Sequence, residues 1–299
     1  MNAFVAAPYE ETVHRLALGI EPIDAARNQV LLTPIMLTFD DLPLGNARST
    51  LARHPSNRHV LLYDAHYASQ PRTVDLRIFD QRERAAGSGR RSAVTKPTPG
   101  RLYDTESDGR RFVPRRLRIR LRALVDAEAS AAADRICRPR VFPGPAYSMN
   151  QIATGLRGHA MRAAAAPLPL RPLRWARVLA TVPSAEADLA QSTVVGSAHC
   201  DDRGEFVLLI RYHVAAIGIG PELSVRLRVF AGAEALPPSP ELPVLDPLWD
   251  LPREEPASLA DTDPVLRGEA LPPGYGEVAS RVVALPLGRM LRGQPNVIA

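Results

Sequence analysis

Apolar and polar residues alternate along several short segments of this chain. In residues 116–122, three leucine or isoleucine side chains are separated by four arginines. Residues 223–230 alternate in the same way, and in residues 73–80 the polar side carries Asp75 and Arg77. Side chains point to opposite faces at successive positions of a strand, so a period of two predicts strands with one buried face.

The composition also favours short strands over long helices. The chain has 29 Pro and 19 Gly in 299 residues, and both residue types interrupt regular helices. Hydrophobic residues make up 45% of the sequence, which is enough for a packed core. We therefore predict an all-β protein with two β-sandwich domains, followed by a Pro-rich extended C-terminal segment.

Shifts in composition along the sequence predict the domain boundaries. Residues 12–124 are expected to form an N-terminal β-sandwich, with a flexible insertion at 81–111 that is rich in Arg, Gly, Ser, Thr and Pro. Residues 125–150 are predicted as a linker, and residues 151–231 as the second β-sandwich. Residues 232–299 are predicted as a Pro-rich extended tail with one candidate strand near its end.

Short motifs follow one another in a fixed order between residues 152 and 230. They comprise Gly155, Leu156, Gly158, Ala176, Val178, Asp201 or Asp202, Gly204 and Phe206. This order resembles the carboxypeptidase regulatory-like domain, a transthyretin-like or prealbumin-like family with a G-x-V-x-G strand, an A-x-V strand and a T-D-x-x-G-x-F hairpin. Leu156 replaces the family's Val, and Cys200 stands where Thr is common. The resemblance implies a seven-stranded sandwich that acts as an appended folding or interaction domain without peptidase activity.

The hairpin motif also has a physical basis. Asp201, Asp202 and Gly204 stand together in a segment suited to a tight turn in which the glycine takes a positive φ. Phe206 follows two residues later, and the alternate positions after it are apolar. We therefore expect Phe206 to enter the core at the start of the second hairpin strand.

A second resemblance concerns the segment that leads into this domain. Residues 138–147, with the sequence RPRVFPGPAY, precede ATGLRG at residues 153–158. The combination is similar to proteins of bacterial contractile injection systems, which are phage-tail-like particles. This resemblance implies an accessory or structural part of a larger assembly.

The charge balance bears on the class of partner. The formal net charge is +5, the pI is about 9.6, and all basic residues except Lys96 are arginines. A basic chain suits an acidic partner. Aromatic residues do not interleave with the basic runs as they do in grooves for single-stranded nucleic acid, so nucleic acid is disfavoured as a partner.

One set of arginines follows the predicted strand period. Arg116, Arg118, Arg120 and Arg122 fall on one face of a strand, about 6.6 Å apart. Such a row can bind carboxylates or phosphates through paired hydrogen bonds, and the alternative is an ordinary solvated sheet face. These arginines and Trp249, an apolar anchor in the Pro-rich segment, are our candidate partner-binding residues.

The sequence carries no recognised catalytic, cofactor or metal motif. It lacks H-E-x-x-H, paired C-x-x-C and G-x-S-x-G patterns. His199 is followed by Cys200 and two aspartates, but neighbouring residues on a strand point to opposite faces, and turn formation explains the aspartates. We therefore predict that the protein is not an enzyme and has neither a cofactor nor a metal site.

Targeting signals and the cysteine content bear on location. The first residues lack a basic, apolar leader, and no stretch reaches the roughly 18 apolar residues that a membrane helix needs. Cys137 and Cys200 are the only cysteines, and two free thiols are favoured over a single bridge. We expect a cytoplasmic protein without a membrane span.

These observations predict a non-catalytic protein-interaction or structural module whose partners are other proteins, including subunits of a larger assembly. Two alternatives stay open. One is a β-sandwich that binds a glycan or an acidic ligand, although glycan binding requires exposed aromatic residues and the chain has 2 Trp. The other is an accessory domain associated with a hydrolase.

Overall fold

The computed structural model describes residues 15–40, 51–53, 58–63, 70–80, 103, 108–149, 153–163, 169–211, 220–292 and 297–298. Across these residues the protein consists almost entirely of β-strands, and the all-β prediction is confirmed. Its α-helices are short, Leu124–Glu128 (α1) and Leu242–Leu245 (α2). None of the helices in the described ranges is long and apolar enough to cross a membrane.

Ten strands belong to the first half of the chain. They are β1 (Leu16–Ile20), β2 (Ile23–Asp24), β3 (Gln29–Val30), β4 (Met36–Phe39), β5 (Leu51–Arg53), β6 (His59–Leu62), β7 (Arg72–Phe79), β8 (Arg115–Leu121), β9 (Ile136–Cys137) and β10 (Arg140–Val141). Ten more follow: β11 (Gly155–Arg162), β12 (Arg171–Pro172), β13 (Arg177–Val182), β14 (Thr193–His199), β15 (Glu205–Ile210), β16 (Glu222–Ala231), β17 (Arg253–Glu254), β18 (Gly276–Pro286), β19 (Met290–Leu291) and β20 (Val297–Ile298).

Three small sheets surround the first core. Their strand orders are β5-β6-β1-β9, β10-β2-β3 and β17-β8-β7-β4. The predicted alternation holds along β8, where Leu117, Ile119 and Leu121 are buried in one hydrophobic cluster together with apolar residues of β1, β4, β6 and β7. The period of two therefore places the apolar face of β8 in the core and Arg116, Arg118 and Arg120 on the outer face, whereas Arg115 is buried on the inner face.

Residues 125–150, predicted as a linker, contribute to this core. β9 pairs in parallel with β1, and β10 pairs in parallel with β2. Cys137 and Val141 are fully buried in the same cluster. The segment is therefore an extended part of the first unit, because its apolar residues occupy the positions of short interior strands.

The second half forms one curled sheet. Its order is β12-β11-β15-β14-β13-β16-β18, and β19 and β20 pair with the other side of β11. The inward residues of β11, β13, β14, β15, β16 and β18 share one hydrophobic cluster. Since β18 lies at one end of the order and leads within a few residues into β19 at the other end, the sheet curls around this core.

The Pro-rich segment joins both units. β17 pairs in parallel with β8 of the first unit, whereas β18 pairs along its length with β16 of the second. The candidate strand near the end of the chain is thus present as β18. A third hydrophobic cluster, in which both units and this segment take part, contains Phe79, Tyr103, Val113, Trp175, Leu248 and Leu251.

Most of the predicted insertion at 81–111 lies outside the described residues. Its described part consists of Tyr103 and residues 108–111. Tyr103 is buried, and its hydroxyl donates to Asp108 at 2.5 Å. Arg111 pairs with the buried Asp80. This end of the segment is therefore anchored by ionic and aromatic contacts.

Candidate functional site: the arginine row, its junction and the open strand edge

The outer face of β8 carries the arginines that the sequence singled out, and their exposure rises along the strand. The side chains of Arg116 and Arg118 are 14% and 34% exposed, respectively, whereas Arg115, which precedes the row, lies on the inner face of β8 with Leu117 and is 0% exposed. Arg120 and Arg122 are both exposed. The row is therefore graded from a buried end to an open end, unlike the uniform cationic face that the sequence predicts.

Aspartates neutralise the middle of the row. Arg118 donates from Nε to Asp75 at 2.9 Å, and Arg116 pairs with Asp40 and with Asp75. Arg253 on β17 also pairs with Asp75, at 3.0 Å. Because Arg116, Arg118 and Arg253 already pair with aspartates inside the protein, little of their charge is available to an external ligand.

The protonation of Asp75 reflects this neutralisation. Burial acts to raise the pKa of Asp75, but the hydrogen bond from Arg118 and the charges of Arg253 and Arg116 outweigh it and hold the pKa below its ordinary value. The sequence held a signal for this pairing, since its alternation places Asp75 on the polar side of β7. Asp75 lies directly opposite Arg118 in the β7–β8 register.

The open end of the row lies at a cavity of about 490 Å³. Arg120, Arg122 and Arg135 line it together with Asp126 and Asp134. The remaining lining residues are Ala17, Pro71, Leu121, Pro256, Ala257, Ser258 and Leu259. We call this space the Arg120 pocket; its walls come from β1, β8, α1, the segment after α1, the residue just before β7 and the Pro-rich segment.

Arg115, on the inner face of β8 just before the row, belongs to a junction between the units. Arg115 donates to both carboxylate oxygens of Glu254, at 3.2 and 2.8 Å, and Arg177 donates to the same carboxylate at 3.0 Å. These three residues are at most 3% exposed. Arg115 belongs to the first unit, Arg177 to the curled sheet and Glu254 to the Pro-rich segment, so this junction ties three parts of the chain together.

The charges at the junction support one another. Burial acts to raise the pKa of Glu254, but the charges of Arg115 and Arg177 outweigh this effect and hold the pKa below its ordinary value. Arg115 also donates to the backbone carbonyls of Arg140, Val265 and Leu266. Sequence reasoning missed the junction because the residues that pair with Glu254 are 139 and 77 positions away from it.

His199 lies beside this junction in a fully buried position. Its ring stacks on Phe142 with centroids 3.7 Å apart, and Gly268 lies against its edge. Within the described ranges, neither ring nitrogen has a well-formed hydrogen bond. Burial, followed by the charges of Arg177 and Arg115, lowers the pKa of His199 well below its ordinary value, so the ring is held neutral.

The two cysteines are free and buried. Burial raises the pKa of Cys137 to about 12 and also raises the pKa of Cys200. Because the thiolate is the reactive form, both thiols are held in their unreactive state. Cys200 follows His199 in the sequence, but it belongs to the hydrophobic core of the curled sheet.

The predicted turn residues occupy the β14–β15 hairpin. Gly204 has a φ of +72°, and the Asp201 carboxylate accepts from the backbone N–H groups of Arg203 and Glu205. Phe206 is buried in the core, and Asp202 is half-buried at the turn. Arg110, from the end of the predicted insertion, pairs with Asp201 at 2.7 Å, so the turn also joins the two units.

The predicted glycines of β11 lie against β15. Gly155 is paired with Leu209, and Gly158 is paired with Phe206. A Cβ atom on Gly155 would come within 2.1 Å of the Leu208 carbonyl oxygen, so only glycine allows the two strands to approach this closely. The motif residues that carry the family resemblance therefore have packing roles in this sheet.

Trp249 is half-buried at a groove of about 590 Å³. The groove is also lined by Tyr275, Arg171 and Glu234, and by Pro172, Pro237, Pro243, Pro252 and Pro273. The other tryptophan, Trp175, is buried and donates from Nε1 to Asp250 at 2.8 Å. Trp249 does not line the Arg120 pocket, so the structure does not bring it together with the exposed arginines of the row.

The last strand of the curled sheet, β18, has an outer edge to which no described strand is hydrogen-bonded, although β20 comes within 8 Å of part of β18 between Cα atoms. It has 11 residues, and β16 is its paired neighbour among the described strands. Val278 and Val282 are 37% and 47% exposed. An edge strand carries unpaired backbone N–H and C=O groups that can bind another strand.

The side chains that could bind a metal do not come together in the described parts of the chain, where no group of three or more His, Cys, Asp or Glu residues has a suitable arrangement. Comparisons of the chain with protein-family models, curated proteins and solved structures found no match.

Proposed function

We propose that this chain is a cytoplasmic, non-catalytic protein-interaction or structural module that takes up an extended segment of a partner protein along β18. The observation that carries the proposal is the outer edge of this strand, which has no hydrogen-bonded neighbour among the described strands. β18 is the last strand of its sheet and runs for 11 residues.

Strand addition follows from the physics of sheet edges. Natural proteins commonly protect an edge with lysine, proline, a bulge or a covering element, because exposed edges recruit other strands. β18 has a bulge at Val278 and ends at Pro286, but it contains no lysine, and it exposes Val278 and Val282. A partner strand would gain main-chain hydrogen bonds along this edge and apolar contacts at alternate positions.

The closed junction supports a role without catalysis. Glu254 and its two arginines form a charged cluster, and all three residues are at most 3% exposed. Glu254 receives hydrogen bonds from both arginines, so its oxygens are engaged in structure. A general acid or base must reach the proton that it transfers, and these groups face one another in the interior.

The test is capture of partners from the native cell with the full-length tagged chain. We expect a stoichiometric protein partner with the natural sequence, and loss of that partner with the double variant Val278→Lys and Val282→Lys. Lysines on an edge strand disfavour strand pairing. Recovery is measured by quantitative mass spectrometry of the captured complex.

Val194→Lys is the matched control. Val194 is 49% exposed, but it lies on β14, which pairs with β13 and β15 on its two sides. The control should retain the partner. Absence of any stoichiometric partner would overturn the proposed function, whereas equal retention by all variants would overturn only the role of β18.

We also propose that the partner is part of a larger assembly, which the resemblance of residues 138–147 and 153–158 to contractile-injection proteins implies. The identity of the captured protein tests this step. A subunit of a phage-tail-like particle would support it, and a partner that forms only a binary complex in size-exclusion chromatography would contradict it.

A further inference from the structure

We infer that the Arg120 pocket is a binding site for a single carboxylate group that is attached to an apolar body. The site is distinct from the β18 edge, and the inference does not depend on the proposed function. It rests on the unused hydrogen-bonding capacity of three arginines, on the net charge of the pocket and on the apolar share of its lining.

The three arginines of the pocket have donors to spare. Within the described residues, no carboxylate lies within 4.0 Å of the guanidinium groups of Arg120, Arg122 or Arg135. Arg135 uses one Nη group for the carbonyl of Ala127, while its buried Nε has no hydrogen-bond partner in the described part of the structure. This contrasts with Arg116 and Arg118, which share Asp75.

The net charge of the pocket favours a singly charged ligand. Three arginines and two aspartates line it, which gives a formal charge of +1. A carboxylate balances this charge and can accept two parallel hydrogen bonds from one guanidinium group. A phosphate that carries nearly two negative charges would face repulsion from Asp126 and Asp134.

The other walls of the pocket are suited to an apolar ligand body. Ala17, Leu121 and Leu259 lie in the lining, together with Pro71, Pro256 and Ala257. The volume of about 490 Å³ is large enough for a carboxylate and several attached carbon atoms. The same chemistry is offered by a free aliphatic acid and by an acidic side chain within an apolar segment of a protein.

The experiment uses the full chain and two probes, measured by isothermal titration calorimetry at low ionic strength. The first probe is pentanoate, with pentanamide as its neutral counterpart. The second is the capped peptide acetyl-Leu-Glu-Leu-amide, with the glutamine peptide as its neutral counterpart. Binding of pentanoate assigns a site that admits free acids, and binding of the peptide alone assigns a site for acidic protein segments.

The double variant Arg120→Ala and Arg122→Ala should weaken binding of the active probe about tenfold or more, because charge-assisted hydrogen bonds are lost. Arg281→Ala is the matched control, since Arg281 is exposed on β18 and does not line the pocket. Both variants should unfold at the same temperature as the natural protein, because the substituted side chains are exposed.

Three outcomes would overturn the inference. The first is that neither acid binds at millimolar concentration. The second is that the neutral counterpart binds as tightly as the acid, or that the double variant binds as tightly as the Arg281→Ala control. The third is that inorganic phosphate displaces the probe at equal concentration, which would show that the site does not select a singly charged carboxylate.

Discussion

The two ends of β8 both carry arginines, but these lie on opposite faces of the strand and have different surroundings. At the buried end, Arg115 is fully enclosed and shares Glu254 with Arg177. At the open end, Arg120 and Arg122 line a cavity and have no ion-pair partner among the described residues. The difference shows that a residue pattern sets which way a side chain points, whereas distant segments decide whether its charge is used inside the protein.

The largest effect is expected at the buried end. Glu254→Gln removes the charge that Arg115 and Arg177 share and leaves two buried cations, which should lower the free energy of unfolding by about 3–5 kcal/mol. Urea denaturation measures the loss. Glu255→Gln is the matched control, because Glu255 is the exposed neighbour of Glu254. Equal midpoints for the two variants would show that the junction does not stabilise the fold.

A smaller loss is expected in the middle of the row. Asp75→Asn should lower the free energy of unfolding by about 1–3 kcal/mol, since three arginines lose a common carboxylate. The pKa of Asp75 is lowered in the folded protein, so its contribution is complete above its ordinary pKa of 3.8 and is lost as the pH falls through the folded value.

Denaturation at several pH values measures this difference between the natural protein and Asp75→Asn. The two proteins should differ most near neutral pH and converge as the pH falls below 3.8. A difference that stayed constant over this range would mean that the aspartate stabilises the strand pair without its charge.

Protonation of His199, which lies beside the junction, gives a second test of this buried region. The folded protein holds this ring neutral with a lowered pKa, so stability is complete above the ordinary value of 6.5 and declines as the pH falls towards the folded pKa. The expected slope is about 1.4 kcal/mol per pH unit in that window. Phe142, Gly268, Arg115 and Arg177 are the groups that face the ring or act on its charge.

His199→Phe should remove this slope and retain the stacked arrangement. His159→Gln is the control, because His159 is 47% exposed in its side chain and contacts Glu205 at the surface. If the slope between pH 6.5 and pH 5 were unchanged in His199→Phe, its source would be another group.

The smallest effect on stability is expected at the open end. Arg120→Ala should change the free energy of unfolding by less than about 0.5 kcal/mol, because an exposed side chain without an ion pair contributes little to the fold. Thermal denaturation at low and high salt measures it. A loss comparable with that of Asp75→Asn would mean that Arg120 has a structural partner after all, and the contrast between the two ends of β8 would not hold.

The sequence predicted the strands much better than the contacts between distant segments. The period of two along β7 and β8 specifies the apolar core face, and Asp201 with Gly204 specifies the hairpin turn, since these are local properties. The burial of Asp75 and Arg77 on the polar side of β7 does not follow from the period. The junction depends on two arginines that are 139 and 77 positions away from Glu254, so no local pattern indicates it. The neutralisation of Arg118 lies between these cases, because Asp75 was visible on the polar side of β7 but its register opposite Arg118 was not.

The position of Glu254 in the chain bears on how the protein is made. During translation, Arg115 leaves the ribosome 139 residues before its carboxylate partner. At typical synthesis rates of 5–20 residues per second, that interval lasts roughly 7 to 28 s. Over this time the nascent N-terminal half cannot bury Arg115 at low cost, because a lone cation in an apolar interior is strongly unfavourable. We therefore expect the two halves to reach their native packing together, late in synthesis, once Glu254 is available to pair with Arg115 and Arg177.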